Sequence, residues 1–416
     1  MTYNCDLAVI GGGAGGFGAA LAGARLGLRT VLVEKADMLG GNGVRGGVNC
    51  WEMGAGGTGI PFELYKRLKR IPQAIGIYSY GRHGSWYKPD REPYRFLGGE
   101  QVMDASRKYL DTLRRHGCSG MGQNESWVRE HWHGVPFEPG IMAAEMLAML
   151  KETGYCDIRL NTSFMHIRQE LGVITEIALS DGTTLRPRAV VDGTADALVC
   201  LALACPMMVG QESRATFDEP SAPTEANQCV NGVTLCFRIT PTPTPGIEPL
   251  SDGIPVEPWW GRAQTWVSMN HYPNGDRNVN MLPTMEGSEF MALGYPAAYA
   301  ECRRRVSCQW HWMQRQMSEF QNWRLSWVAP GLGVRESRRV VGEYVLTEHD
   351  LRAGLSGQRH DDLITVADHA LDTHGRNHGR SGCGELAEPY GIPYRSLIPK
   401  GFHNLLVACR AASFSS

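Results

Sequence analysis

Apolar residues near the start of the chain run together instead of alternating. Residues 7–10 (Leu-Ala-Val-Ile) form a short unbroken apolar run, the pattern of a strand buried on both faces of a parallel sheet. Glycines follow at 11, 13 and 16, then an Ala- and Gly-rich helical stretch over residues 17–27. A second apolar run, residues 30–33, ends in Glu34. Further on, residues 62–68 and 101–115 have helical spacing, with an irregular Gly-, Pro-, Tyr- and Arg-rich segment over 71–99 between them. An apolar helix is predicted over 139–154, closed by Gly154 with Lys151 in its last turn, and a main-sheet strand over 158–160. Runs at 164–167, 173–179 and 184–191 read as a meander, the last two joined by an Asp181-Gly182 turn. A strand over 233–239 precedes the Pro-Thr-Pro-Thr-Pro run at 241–245, which fits neither helix nor central strand. A long helix is predicted over 300–327.

The opening pattern carries chemistry. Strand, glycine turn, helix, second strand and acid occur in the order of a dinucleotide-binding unit. Gly11 permits the tight turn, Gly13 lets backbone approach a pyrophosphate, and Gly16 lets the helix sit close to the sheet. Ala14 and Gly15 would present helix N–H groups and the positive dipole end to the phosphates. Glu34 would accept hydrogen bonds from both ribose hydroxyls and repel a 2′-phosphate, so the site is expected to hold FAD or NAD and not NADP. Lys35 to Val48 then contains Gly40, Gly41, Gly43, Gly46 and Gly47, a density of bare backbone suited to a large flat ligand.

Glu34, the Gly40-Gly41-Asn42 triplet and Gly46-Gly47-Val48 resemble the second FAD-contacting loop of the FAD-dependent oxidoreductases related to the fumarate reductase and succinate dehydrogenase flavoproteins. Thr194-Ala195-Asp196 resembles that family's Thr-Gly-Asp, with alanine in place of glycine. Residues 210–223 and 331–344 resemble segments of one bacterial branch of it, and Asp372-Thr373-His374 its Asp-x-His. Residues 390–399 and 404–410 resemble the final FAD-contacting strand, with Ala-Cys-Arg ending at Arg410 where relatives read Ala-Gly-Arg. Relatives continue into a glycine-containing helix facing the flavin, whereas this sequence stops at Ser416. Truncation, weaker flavin binding and completion by another subunit are the three accounts of that difference.

The resemblance implies an α/β protein: a Rossmann-type FAD-binding domain, with a parallel sheet, helices and a β-meander, from residues 1–210 and 331–416, and an inserted α+β substrate domain over 211–330. FAD would lie extended, its adenosine near Glu34 and Phe164, its pyrophosphate over Gly11 to Gly16 and its ring near Gly46 and Gly47. Lys35, Gly41, Asn42, Thr194, Ala195, Asp196 and Arg410 complete the expected cofactor contacts. Hydride would pass between flavin N5 and a small organic substrate. For the accompanying proton the candidates are His374, fixed by Asp372, and then His271; Arg335 would hold negative charge in the cavity, while Arg338 and Arg339 would serve structure. An NAD-dependent dehydrogenase and a non-catalytic or degenerate flavin-binding scaffold are the alternatives.

Composition narrows the rest. A chain of 416 residues exceeds what one core usually serves. The net charge of −2, without blocks of like charge, gives no reason to expect nucleic acid or an anionic membrane surface. With a strand starting by Asp6 there is no room for a targeting peptide, and the most apolar stretch, residues 195–209, is too short to span a bilayer, so a soluble cytoplasmic protein is expected. The twelve cysteines, with no Cys-x-x-Cys pair, are expected to be reduced and buried, Cys302 and Cys308 among them. Neither His131 and His133 nor His369, Asp372, His374 and His378 form a standard ligand frame, so no metal is expected. Seven of the eleven tryptophans fall between Trp259 and Trp327. Trp312, Trp323 and Trp327 are expected to pack along the long helix, leaving Trp259 and Trp260 as ligand candidates; a sugar, an aromatic ring or, from the arginines, a carboxylate is the substrate class, and a homo-oligomer is an open expectation.

Overall fold

The computed structural model describes residues 1–51, 59–75, 135–258, 267–272, 274–281, 284–367, 371–373, 382–384 and 386–416. The expected helix over 101–115, most of the irregular segment 71–99, His131, His133, Trp259, Trp260, His369, His374 and His378 lie outside the described residues.

The parallel sheet begins with β1 (Thr2–Ile10), followed by α1 (Ala14–Arg25) and β2 (Thr30–Val33). β1 pairs β2 in parallel, Leu7 opposite Thr30 and Ile10 opposite Val33. Ala8, Val9, Val31 and Leu32 are wholly buried, as the unbroken apolar runs require. β1 starts earlier than its apolar run because Thr2 to Cys5 pair with Thr184 to Pro187. α1 likewise starts at Ala14, three residues before the expected position, because the residues after the turn already have helical backbone. A short turn of helix, α2 (Gly41–Val44), lies in the second glycine loop, and α3 (Pro139–Glu152) leads to β3 (Cys156–Arg159), which extends the sheet beyond β2.

The meander follows as β4 (Phe164–Glu170), β5 (Val173–Leu179) and β6 (Thr184–Asp192). β6 serves two partners along one edge: Thr184 and Leu185 meet β5 antiparallel, while Val190 to Asp192 run parallel to the last strand of the sheet, residues 405–407. Its other edge pairs with β1 throughout. The seven-stranded order is therefore β3-β2-β1-β6-β5-β4, with the 405–407 strand beside β6, the mixed sheet of a Rossmann-type fold with its meander. The short helix α4 (Leu198–Ala202) comes directly after β6.

Buried residues from Val233 to Val334 build a second core. Its antiparallel sheet consists of β7 (Phe237–Pro241), β8 (Val267–His271), β9 (Arg277–Met281) and β10 (Trp323–Val328), in the order β8-β9-β7-β10. Helix α5 (Tyr295–Gln316) packs Val306, Trp310 and Met313 against Phe237, Ile239 and Val279. The other sheet face carries polar groups: Asn278 donates to the Gly47 carbonyl at 3.0 Å and to Asn49 at 2.8 Å, joining this sheet to the second glycine loop. The expected helix over 300–327 is corrected here. It begins at Tyr295 and ends at Gln316, because Met317 turns to extended backbone (φ −133°). A tight turn, Ser318–Asn322, then leads into β10, so Trp323 and Trp327 stand on a strand while Trp312 stays on the helix. The alternating Trp-Arg-Leu-Ser-Trp-Val run suits that strand, which pairs with β7. Buried Gln314 fixes the corner by donating to the carbonyls of Phe320 and Trp323 and accepting from the Glu248 N–H. The expected strand 233–239 is shifted as well: Val233 and Thr234 make isolated bridges, and the regular strand is Phe237–Pro241.

Candidate cofactor cavity

The first glycine turn is held from both sides. The Gly11 N–H donates to the Val33 carbonyl at 2.7 Å. Glu34 at the end of β2 accepts from the Gly12 N–H at 2.6 Å and from the Ala36 N–H at 2.8 Å, so its carboxylate is oriented by the loop it serves. Gly13 is the N-cap residue of α1, and no side chain caps the helix. Three of the glycines are required by protein atoms alone: a Cβ would come within 2.4 Å of the Gly193 carbonyl oxygen at Gly11, 1.7 Å of that of Ala408 at Gly15, and 1.8 Å of that of Gly11 at Gly16. Gly13 differs. A Cβ there would meet only the Gly41 Cα, at 4.0 Å, so nothing in the chain itself demands a bare backbone at this position. An uncapped helix start beside an open glycine is the cradle a diphosphate needs, and in this respect the residues fit a dinucleotide.

The second glycine loop docks on the first, the Gly40 N–H donating to the Gly12 carbonyl at 2.8 Å. Asn42 ties it to the returning chain through the Val334 carbonyl at 2.6 Å, and the Gly331 N–H donates to the Arg45 carbonyl at 2.9 Å. Tyr295, first residue of α5, accepts from the Leu332 N–H at 2.9 Å, and burial raises its hydroxyl pKa. Arg335 donates to the Thr234 hydroxyl at 2.7 Å.

The third wall comes from the end of β6. Asp192 is fully buried and accepts from the Thr194 N–H and hydroxyl and from the N–H groups of Val199 and Cys200. Burial raises its pKa against the pull of those bonds. Ala195 has left-handed backbone at φ +71°. Asp196 accepts from Arg410 at 2.6 Å and from the Ser337 hydroxyl at 2.5 Å, linking the third wall to the last strand and the return segment. Cys409 stands next to Arg410, and burial pushes its thiol up to about 11.

These walls enclose one cavity of about 760 Å³, a size typical of cofactor sites. Gly11, Gly13, Ala14, Gly15, Glu34, Lys35, Gly41, Asn42, Gly46, Phe164, Thr194, Ala195, Asp196, Arg410 and Arg335 all line it. Gly16 and Gly47 do not: Gly16 seats α1 on the turn, and Gly47 packs beneath Cys236 and Trp327. His271 is the last residue of β8, with its side chain outside the described residues, as is all of His374. Arg339 is buried between Glu212 and Glu336, an ion-paired structural role. Arg45, Thr162, Ser163, Tyr295 and Val334 also line the cavity without having been singled out. Arg45 sits inside the glycine loop, where its position was a usable signal. Tyr295 opens a helix far along the chain and gave none.

Residues 6–416 match the family described as FAD dependent oxidoreductase. The chain belongs to that family. FAD is accordingly its cofactor, and the NAD-dependent alternative has no support. The chain is also similar to 3-oxosteroid 1-dehydrogenase of Mycobacterium tuberculosis (strain ATCC 25618 / H37Rv), 40% identical over 138 residues that make up 32% of this chain and 21% of that protein. The match thus spans about a fifth of that relative. Among solved structures, a geranylgeranyl bacteriochlorophyll reductase-like protein from Thermoplasma acidophilum overlays at TM-score 0.44 and 14% identity, covering 81% of this chain and 68% of that one. The myxobacterial chondrochloren halogenase CndH overlays at TM-score 0.45 and 13% identity, covering 81% and 65%. Among the described residues no helix is long and apolar enough to cross a membrane, and no three His, Cys, Asp or Glu side chains gather as metal ligands.

Proposed function

We propose that this chain binds FAD in the 760 Å³ cavity and exchanges hydride with a small organic substrate held between the nucleotide-binding part, residues 1–210 and 331–416, and the inserted part, residues 211–330. The observation that carries the reading is Gly13, the glycine of the first turn that no protein atom requires, which lines the cavity beside Gly41 of the second loop. Bound FAD supplies hydride exchange at its N5.

The residues divide the work of holding it. The N–H groups of Ala14 and Gly15, with the dipole of α1 behind them, receive the diphosphate. Glu34, already oriented by Gly12 and Ala36, accepts from the ribose hydroxyls. Arg410 is held by Asp196 and presents positive charge to the cavity. Arg335, anchored on Thr234, orients an anionic group of the substrate, which makes a carboxylate-bearing small molecule the favoured class. His374 is the first candidate for the proton that accompanies hydride transfer and His271 the second. Their roles follow from sequence only.

The test is anaerobic reduction of the holo-protein by a panel of carboxylate-bearing, sugar and aromatic compounds, followed by the Arg335→Met variant on any compound that reduces it. Loss of one charge-assisted pair in a closed site weakens the substrate by roughly ten- to hundredfold. A variant with unchanged KM and turnover would remove Arg335 from the site.

A further inference from the structure

Cys200 and Cys205 lie behind the third wall and take no part in the proposed reaction. They sit at defined positions of one helix end. The Cys205 N–H donates to the Cys200 carbonyl at 3.0 Å, and the Ala204 N–H donates to the Leu201 carbonyl at 3.1 Å. Ala204 is left-handed, φ +55°. This is the Schellman closure, the motif that ends α1 with Gly27 at φ +79°. In that closure the side chains three residues before the end and two after it are brought together, normally as an apolar contact. Here both are cysteines. Both are buried, with relative exposures of 0% and 6%.

We propose that Cys200 and Cys205 form a reversible redox-modification site, a dithiol that a hydroperoxide closes to an intrahelix-cap disulfide. The backbone bond from the Cys205 N–H to the Cys200 carbonyl, 3.0 Å, brings the two positions side by side across the cap, the proximity from which a disulfide can close. The two thiols act on each other in opposite senses: Cys200 is raised by its neighbour, with burial and the Asp192 carboxylate adding to it, and Cys205 is lowered, which makes it the nucleophile. Cys205, as its thiolate, attacks one peroxide oxygen. An S–O bond forms, the O–O bond breaks, and the departing hydroxide leaves as water with the thiol proton. Cys200 then attacks the sulfenic sulfur; S–S forms, S–O breaks and a second water departs. Two thiols are oxidised and one hydroperoxide, here hydrogen peroxide, is reduced to two waters. The Cys200 N–H also donates to Asp192 at 3.1 Å, which in turn holds Thr194, so the site adjoins the cavity wall without lining it.

Trypsin isolates the pair. Cleavage after Arg188 and Arg214 releases residues 189–214, in which Cys200 and Cys205 are the sole cysteines. The holo-protein, reduced with dithiothreitol and desalted, is exposed to excess hydrogen peroxide, alkylated with iodoacetamide, digested without reductant and weighed. The expected peptide carries neither alkyl group and is two hydrogens lighter than the dithiol; dithiothreitol restores both alkylation sites. In the Cys200→Ser variant, peroxide is expected to leave Cys205 as a sulfenic acid trapped by dimedone. A wild-type peptide that stays doubly alkylated while other cysteines oxidise would overturn the proposal. So would irreversible sulfonic acid at Cys205, or a cross-link from either cysteine to Cys409.

Discussion

Replacing Gly13 by alanine separates a fold requirement from a ligand requirement. Gly13 has φ −69° and ψ −172°, a conformation open to alanine, and a Cβ would lie 4.0 Å from its one neighbour, the Gly41 Cα. Folding of the apo-protein should then change by less than about 1 kcal/mol, the range of an unstrained Gly→Ala exchange at a helix start. The same Cβ would be added at a position that lines the cavity, and a diphosphate that must stand off from it loses at least one charge-assisted hydrogen bond, about 1.5–3 kcal/mol. That is a loss of roughly ten- to hundredfold in FAD affinity. Gly15→Ala is the control: its Cβ would stand 1.7 Å from the Ala408 carbonyl oxygen, so the fold itself should lose about 3 kcal/mol or more. Chemical denaturation of the apo-proteins and titration of each with FAD by flavin fluorescence read the two effects separately. A Gly13→Ala protein that binds FAD like the wild type would refute the cradle, and one that unfolds like Gly15→Ala would refute the claim that nothing in the chain fills it.

Three further outcomes are expected. Ala195→Gly relieves the left-handed backbone at φ +71° and should raise stability by about 0.5–1 kcal/mol after the added freedom of the unfolded chain, read as a higher urea midpoint; an unchanged or lower midpoint would count against strain at this position. Glu34→Ala leaves the N–H groups of Gly12 and Ala36 without their acceptor, at a cost of about 1–3 kcal/mol, and should weaken FAD as well; intact FAD affinity would remove Glu34 from the site. Burial works to raise the pKa of Asp350, yet the bonds from Thr347, His360 and Tyr344 hold it below the ordinary 3.8. A depressed folded pKa gives stability that is complete above the unfolded value and is lost as pH falls through the folded one, so Asp350→Asn should flatten the acid limb of stability below about pH 4. Parallel acid limbs in the two proteins would contradict this.

The parts of the molecule legible in the sequence are those set by neighbours along the chain. The β1–turn–β2 unit could be read because burial on both faces and a tight turn leave a local record in residues 7–34. The meander is marked by its own turn at Asp181-Gly182. The end of α5 was not legible because apolar spacing continues through Trp323 and Trp327, whereas Gln314 holds the corner after the helix by bonding to carbonyls beyond it. The site shows the same division. Glu34 and the glycines carry their chemistry in spacing, whereas the Asn42 contact with Val334 and the Asp196 contacts with Ser337 and Arg410 join residues with no local relation. Gly47 was assigned to the cavity from its place in a glycine run, yet its bareness serves the contact with Cys236 and Trp327.

The most direct measurement is the absorption spectrum of the purified protein, with the flavin it releases on denaturation identified by chromatography. The account predicts the bands of oxidised flavin, bleached by dithionite, and FAD in the released fraction. A colourless protein that still carries no flavin after incubation with excess FAD and desalting would contradict it.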